Sequence, residues 1–130
     1  RRGADAARTS MRLWASSHAD YFRRTWGVDV TGVRLLADGW MLEFRFRVLD
    51  PRKAAPLLDV NAKPYLVDQR SGVVLSVPAM ENVGELRQHS APLAGRSYFV
   101  IFGNGNKIVA RGNDVNVMVG RFAAQALPVL

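Results

Sequence analysis

From Trp40 to Val48 the chain alternates strictly. Trp40, Leu42, Phe44, Phe46 and Val48 are apolar, and Met41, Glu43, Arg45 and Arg47 lie between them. A period of two predicts a strand with one face in the core and one in water. Asp38-Gly39 stands just before it. That pair is a favoured two-residue hairpin turn, because glycine accepts the positive φ the turn needs. Residues 28–50 are therefore expected to form a long β-hairpin that carries the core, with Trp40, Phe44 and Phe46 buried and Arg45 and Arg47 outward. Closure at Asp38-Gly39 sets Leu35 opposite Leu42, Val33 opposite Phe44 and Arg34 opposite Glu43, the last a cross-strand charge pair. Continued unbroken, this register would turn Val30 and Val28 outward. One extra residue near Thr31-Gly32 restores Val30 opposite Phe46 and Val28 opposite Val48, so a bulge is predicted at Gly32.

Upstream, residues 1–26 predict a helix or a partly ordered arm, ended by Gly27. Met11, Trp14, His18 and Tyr21 or Phe22 share one helical face. Arg23 and Arg24 are placed to interact with the negative end of the helix dipole. Two uses are open for this segment: packing on its own domain, or serving as a basic, aromatic-edged docking arm. Residues 27–130 are expected to form a separate β domain that is complete without it.

Downstream, Asp50-Pro51 predicts a turn and a short helical stretch over 52–59, broken at Pro56. Strands are expected at 65–68, 73–77, 98–102, 107–110 and 114–122, with a last edge at 127–130. The strand at 98–102 is apolar on both sides and is expected to be central. Residues 78–96 show no clear period and read as a long irregular connection, a class of segment that often carries function. Parallel sheets would need helices between the strands, and none is predicted after residue 60. The fold class is therefore mainly β: an antiparallel immunoglobulin-like β-sandwich of about seven strands with an N-terminal α-helix.

The segments GVRLLADGWMLEFRFRVLDPRKAAPLL, KPYLVDQRSG, SYFVIFGN and DVNVMVGRF carry a resemblance. Over roughly residues 20–122, the chain resembles small bacterial cell-envelope proteins with an immunoglobulin-like β-sandwich. The resemblance implies an extracytoplasmic (periplasmic or envelope-associated) location behind a signal peptide or anchor, and no enzymatic activity. It brings no site residues with it.

Composition narrows the chemistry. The chain has 130 residues, 48% hydrophobic and 22% charged, which suits one domain able to bury a core. It has no cysteine, which excludes disulfides, thiolate metal sites and cysteine nucleophiles. The net charge is +7, carried mostly by arginine, since only Lys53, Lys63 and Lys107 are lysine. Such a field favours anionic partners. No apolar run is long enough to span a bilayer.

The motifs for catalysis and cofactors fail in turn. Gly103, Gly105 and Lys107 follow a strand, but the lysine comes too early for a phosphate-binding loop, and no Ser or Thr follows it. No serine sits in a nucleophile elbow. Glu81 and Glu85 stand four apart in an irregular stretch and read as solvated residues. The two histidines, His18 and His89, lack the partners that zinc requires. Met80 and His89 are the one pairing that suggests copper. Arg34, Arg45 and Arg47 share a sheet face, but no exposed aromatics are interleaved with them as in single-strand readers.

The expected function is thus a non-enzymatic extracytoplasmic interaction module, an accessory subunit of an envelope assembly, with no catalytic, cofactor or metal residues. Its expected partner is a protein, such as a membrane-associated complex. Aromatic and arginine anchors dominate interfaces, which points to Trp14, Tyr21, Arg23 and Arg87 as partner-binding residues. Two alternatives stay open: a small-ligand or copper carrier using Met80 and His89, and an anion- or nucleic-acid-binding module using the arginine-rich sheet face.

Overall fold

The computed structural model describes residues 2–80, 84–85 and 91–130. It is mainly β, with two antiparallel sheets of three and four strands, a further two-stranded ladder and one long N-terminal helix. The helix α1 spans Arg2–Trp26. It ends where expected, at Gly27, whose φ of +61° turns the chain and whose N–H donates to the carbonyl of Arg23.

Strands β1 (Val28–Leu36) and β2 (Met41–Val48) form the predicted hairpin. Leu35 pairs with Leu42, Val33 with Phe44 and Arg34 with Glu43. The register then shifts between Val30 and Gly32, so that Val30 meets Phe46 and Val28 meets Val48. Gly32 sits at φ +141°, a conformation that explains why glycine occupies the bulge.

Trp40 departs from expectation, being 53% exposed. The turn uses Asp38 and Gly39 at positive φ, but Ala37 also takes φ 51°, so the ladder ends at Leu36–Met41. Trp40 adopts αR geometry instead of strand geometry and leaves the alternating face. Its ring lies under the Lys107 ammonium, 5.2 Å away.

The chain continues through α2 (Pro51–Ala54), capped by the Asp50 side chain, and a 3-10 turn at Ala55–Leu58. Then come β3 (Tyr65–Asp68), β4 (Val74–Ser76), β5 (Ala79–Met80), β6 (Gly84–Glu85) and β7 (Ser97–Gly103). The chain closes with β8 (Asp114–Val119) and β9 (Phe122–Pro128). The strand orders are β1-β2-β7 and β4-β3-β8-β9, with β5-β6 apart. A parallel bridge between Val33 and Val129 links the edges of the two larger sheets.

Three expectations need correction. The strand β7 lies at a sheet edge among the described residues, not centrally; its outward Phe99 is half-covered because the Arg45 guanidinium stacks over it, 5.7 Å from the ring centroid. Residues 107–110 form no strand. The buried Asn104 side chain satisfies Val109 instead, donating to its carbonyl at 3.0 Å and accepting its N–H at 3.1 Å. Residues 114–122 are not one strand: Val119 pairs with Phe122 across a tight turn at Gly120-Arg121, and β9 runs back along β8.

Both larger sheets and α1 bury side chains in one cluster. An aromatic row runs through it from the helix. Trp14 stacks on Phe22 at 5.5 Å, Phe22 meets Phe122 at 5.5 Å, and Phe122 meets Phe44 at 5.9 Å. Phe44 then meets Phe46 at 5.7 Å, and Phe46 meets Tyr98 at 6.1 Å. Met11, Trp14 and Phe22 are thus components of the same core as the strands.

Candidate functional site

The outward side of the four-stranded sheet is unusual for a chain with net charge +7. In one cross-strand row, Ser76 pairs with Tyr65, Tyr65 with Met118, and Met118 with Ala123. In the next, Val74 pairs with Val67 and Val67 with Asn116. None of these residues carries a charge. Val74 is 61% exposed and Tyr65 42%. Strand alternation explains the placement: Leu66, Val115, Val117 and Val119 face the core, so Tyr65, Val67, Asn116 and Met118 must face out.

The helix extends this face. Leu13, Ser17 and Tyr21 recur at i, i+4 and i+8, so they share one flank of α1. Tyr21 lines a cleft with Ala123 and Gln125, and Leu13 and Ser17 line another with Ala126 and Pro128. The row therefore runs from Tyr21 through Ala123, Met118 and Tyr65 to Ser76. Hydrogen bonds stiffen its middle: Asn116 Oδ1 accepts from Gln69 Nε2 at 2.8 Å and from the Ala126 N–H at 2.9 Å. Asp114 stands at the rim near the Leu13 end.

The outward side of the three-stranded sheet is the opposite in character. Glu43 is nearly buried and is shared by two arginines, accepting from Arg34 Nε at 2.9 Å and from Arg45 Nη2 at 3.0 Å. Burial pushes the Glu43 pKa up, but the hydrogen bonds and charges of Arg45 and Arg34 outweigh it, and the carboxyl titrates below its ordinary value. Arg47 donates from Nε to the Gly95 carbonyl at 3.2 Å. Each arginine of this face is thus anchored at Nε, Arg34 and Arg45 on Glu43 and Arg47 on Gly95.

The expected partner-binding residues take different places. Trp14 is buried, and its indole N–H donates to the Gln125 carbonyl at 2.7 Å. Its surface is used within the protein. Tyr21 is 48% exposed and belongs to the uncharged face. Arg23 binds Asp29 through Nε at 2.6 Å, and the hydrogen bond and charge of that aspartate raise its pKa. Arg23 lies by a small cleft with Trp14, His18 and Phe22, apart from the Tyr21 cleft. Arg87 lies outside the described residues. Of the three that are described, Tyr21 alone stands on the uncharged face.

Tyr65, Val74 and Met118 were not identified from sequence. The available signal was apolar residues on both sides of β3 and the single outward Met118 on β8, where an exposed sheet ordinarily carries polar ones. Their importance depends on which strands are neighbours, and that requires the pairing.

The glycine-rich segment and His18 are engaged in local structure. Gly105–Lys107 forms a 3-10 turn, with Asn106 and Lys107 at positive φ, and opens no helix. His18 stacks on Trp14 at 4.4 Å, and its Nδ1 is hydrogen-bonded to the Trp14 carbonyl. Among the described residues, no group of three or more His, Asp or Glu comes together as a metal site. Glu81 and His89, and the side chains of Met80 and Glu85, lie outside that description. Among the described residues, no helix is long and apolar enough to cross a membrane. No protein-family model, curated protein or solved structure matches the chain.

Proposed function

We propose that this chain is a non-enzymatic, extracytoplasmic interaction module with an immunoglobulin-like β-sandwich. It docks a protein partner through the outward side of β4-β3-β8-β9 and the Leu13–Ser17–Tyr21 flank of α1. The observation that carries this reading is the uncharged row from Tyr21 through Ala123, Met118 and Tyr65 to Ser76. Interface centres are depleted in charge and enriched in tyrosine and methionine. A face built of these residues suits a partner whose own surface is apolar and uncharged. The arginines elsewhere keep the rest of the surface solvated.

The strand order supports the sandwich type. Lettered in chain order with the short ladder set aside, the two sheets read A-B-E and C′-C-F-G. In this lettering the fourth strand joins the third in the second sheet, where variable-type domains also place C′. The extracytoplasmic location rests on the resemblance to envelope proteins. Nucleic-acid binding fits less well, because Arg34 and Arg45 are held by Glu43 and Arg45 covers Phe99.

Co-purification from native membranes tests the proposal. The unaltered protein, Val74→Lys and the distant control Arg47→Gln are compared for a defined partner that is then re-bound in pure form. The expected result is loss with Val74→Lys and retention with Arg47→Gln. Equal recovery with all three would overturn the assignment of the face. Sedimentation of the protein alone separates a foreign partner from a second copy of this chain.

A further inference from the structure

Away from the uncharged face, two clefts meet beside the β1 bulge. One, of about 350 Å³, is lined by Thr31, Gly32, Arg34, Glu43, Arg45 and Leu130. The other, of about 260 Å³, lies between that strand and α1, lined by Arg8, Met11, Arg12, Ala15, Thr31 and Leu130. They share Thr31 and Leu130, so together they make one groove along the helix. Its floor is apolar. A Cβ on Gly32 would stand 3.5 Å from Leu130 Cδ1 and 3.7 Å from Met11 Sδ, so bare backbone, leucine and methionine form a continuous base. At the bulge the strand thus meets Leu130 and the helix through a residue without a side chain.

The rim is cationic and its charges do not cancel. Arg34 and Arg45 share the single carboxylate of Glu43, which leaves one positive charge in excess. Arg34 reaches Glu43 through Nε alone, so its two Nη groups make no hydrogen bond among the described residues. Arg8 is balanced by Asp5, whereas Arg12 has a 3.4 Å contact with the Thr9 hydroxyl and no carboxylate partner among the described residues. Glu43 thus acts as a brace: it fixes the guanidinium of Arg34 while leaving its outer fork free. A guanidinium fork matches a planar carboxylate in two parallel hydrogen bonds.

We propose that this groove binds a medium-chain alkyl carboxylate, with its head on the Arg34 fork and its chain on the Gly32–Leu130–Met11 floor. One excess charge at the Arg34–Glu43–Arg45 cluster suits a monoanion. The joined clefts suit a chain longer than acetate. The site is independent of the partner-docking face, and either proposal can fail without the other.

An amide NMR titration of the whole chain with decanoate at neutral pH, below its micelle concentration, tests it. Saturable shifts are expected at Thr31, Gly32, Arg34 and Leu130. Decanol, which lacks the charge, and acetate, which lacks the chain, are each expected to bind at least about tenfold more weakly. Arg34→Gln alters an exposed side chain and is expected to weaken decanoate by about tenfold. Thr31→Trp, at the exposed bulge residue, is expected to fill the groove and abolish saturable binding. Circular dichroism confirms that both variants fold. Decanol binding as tightly as decanoate, shifts spread over the whole surface, no saturable shift, or an unaltered affinity in Arg34→Gln would each overturn the proposal.

Discussion

Tyr65 on β3 and Met118 on β8 stand opposite each other on the outward side of the four-stranded sheet, and their next cross-strand neighbours, Ser76 and Ala123, are uncharged. A tyrosine–methionine pair in the middle of an exposed sheet contributes little to folding that a polar pair would not. It does lower the cost of covering that sheet with another protein, since no charge must be desolvated. The same chain places its arginine–glutamate cluster on the other sheet. The two faces are therefore separated by chemistry as well as by the core between them.

The helix is expected to be required for stability. Phe22 lies between Trp14 and Phe122, with 5.5 Å between ring centroids on each side. Phe22→Ala should destabilise by about 3–4 kcal/mol in urea unfolding. Deleting residues 1–20 removes Met11 and Trp14 from the buried cluster. The melting temperature should fall by about 10 °C or more. A truncated protein melting within a few degrees of the full chain would show that the helix is a dispensable arm.

Gly27 should tolerate no side chain. Its φ is +61°, and a Cβ there would lie 2.7 Å from Asp50 Cβ and 2.8 Å from the Asp50 carbonyl oxygen. Its own carbonyl accepts from Leu49 and Asp50, which fixes the helix exit against the end of the hairpin. Gly27→Ala should cost about 2–4 kcal/mol, combining the left-handed backbone with overpacking against main chain. Gly72, also at positive φ but with open space around it, provides the control. Gly72→Ala should cost only about 1 kcal/mol. Equal losses at the two positions would show that the close approach to Asp50 contributes nothing.

Glu43 should make stability depend on acid. The arginines hold its folded-state pKa below the ordinary value, so the unfolded chain takes up the proton first as pH falls. Its contribution is complete above the ordinary carboxylate range and is lost as pH drops through the folded-state pKa. Glu43→Gln should cost about 1–2 kcal/mol at neutral pH, modest because both arginines are partly solvated. The gap between the two proteins should close below about pH 4. Urea midpoints across that range check it; a gap that widens on acidification would reverse the sign of the linkage.

The strand β2 was legible because Leu42, Phe44, Phe46 and Val48 alternate with Glu43, Arg45 and Arg47, leaving one choice of face. The Gly32 bulge was legible because Val28 and Val30 would otherwise point to water. Trp40 misled because it continues the alternation in sequence while Ala37 breaks the ladder in space, at a positive φ unusual for alanine. The β8–β9 turn was hidden because Ala123 and Ala124 carry weak strand propensity, and pairing to Met118 and Val117 holds them extended. The segment after Asn104 looked like a strand because Ile108, Val109 and Ala110 follow one another as an apolar run, of which only Val109 is buried. A side chain, rather than a neighbouring strand, satisfies Val109 there. The uncharged face was the least legible feature. Tyr21, Ala123, Met118 and Tyr65 lie far apart in sequence, and only the β9-β8-β3 order brings them into one row.

The most direct test of that face is the affinity of the recovered partner for a Tyr65→Ala, Met118→Ala double variant, measured beside the Val74→Lys and Arg45→Gln proteins. Val74 is 61% exposed, so Val74→Lys should change folding stability by less than about 0.5 kcal/mol, which separates binding from folding. The account predicts that the double variant and Val74→Lys each weaken binding by about thirtyfold or more, the scale of an interface hot spot, while Arg45→Gln binds within about threefold of the unaltered protein. Unchanged affinity in the double variant and Val74→Lys, with loss in Arg45→Gln, would place the interface on the arginine-bearing sheet and contradict it.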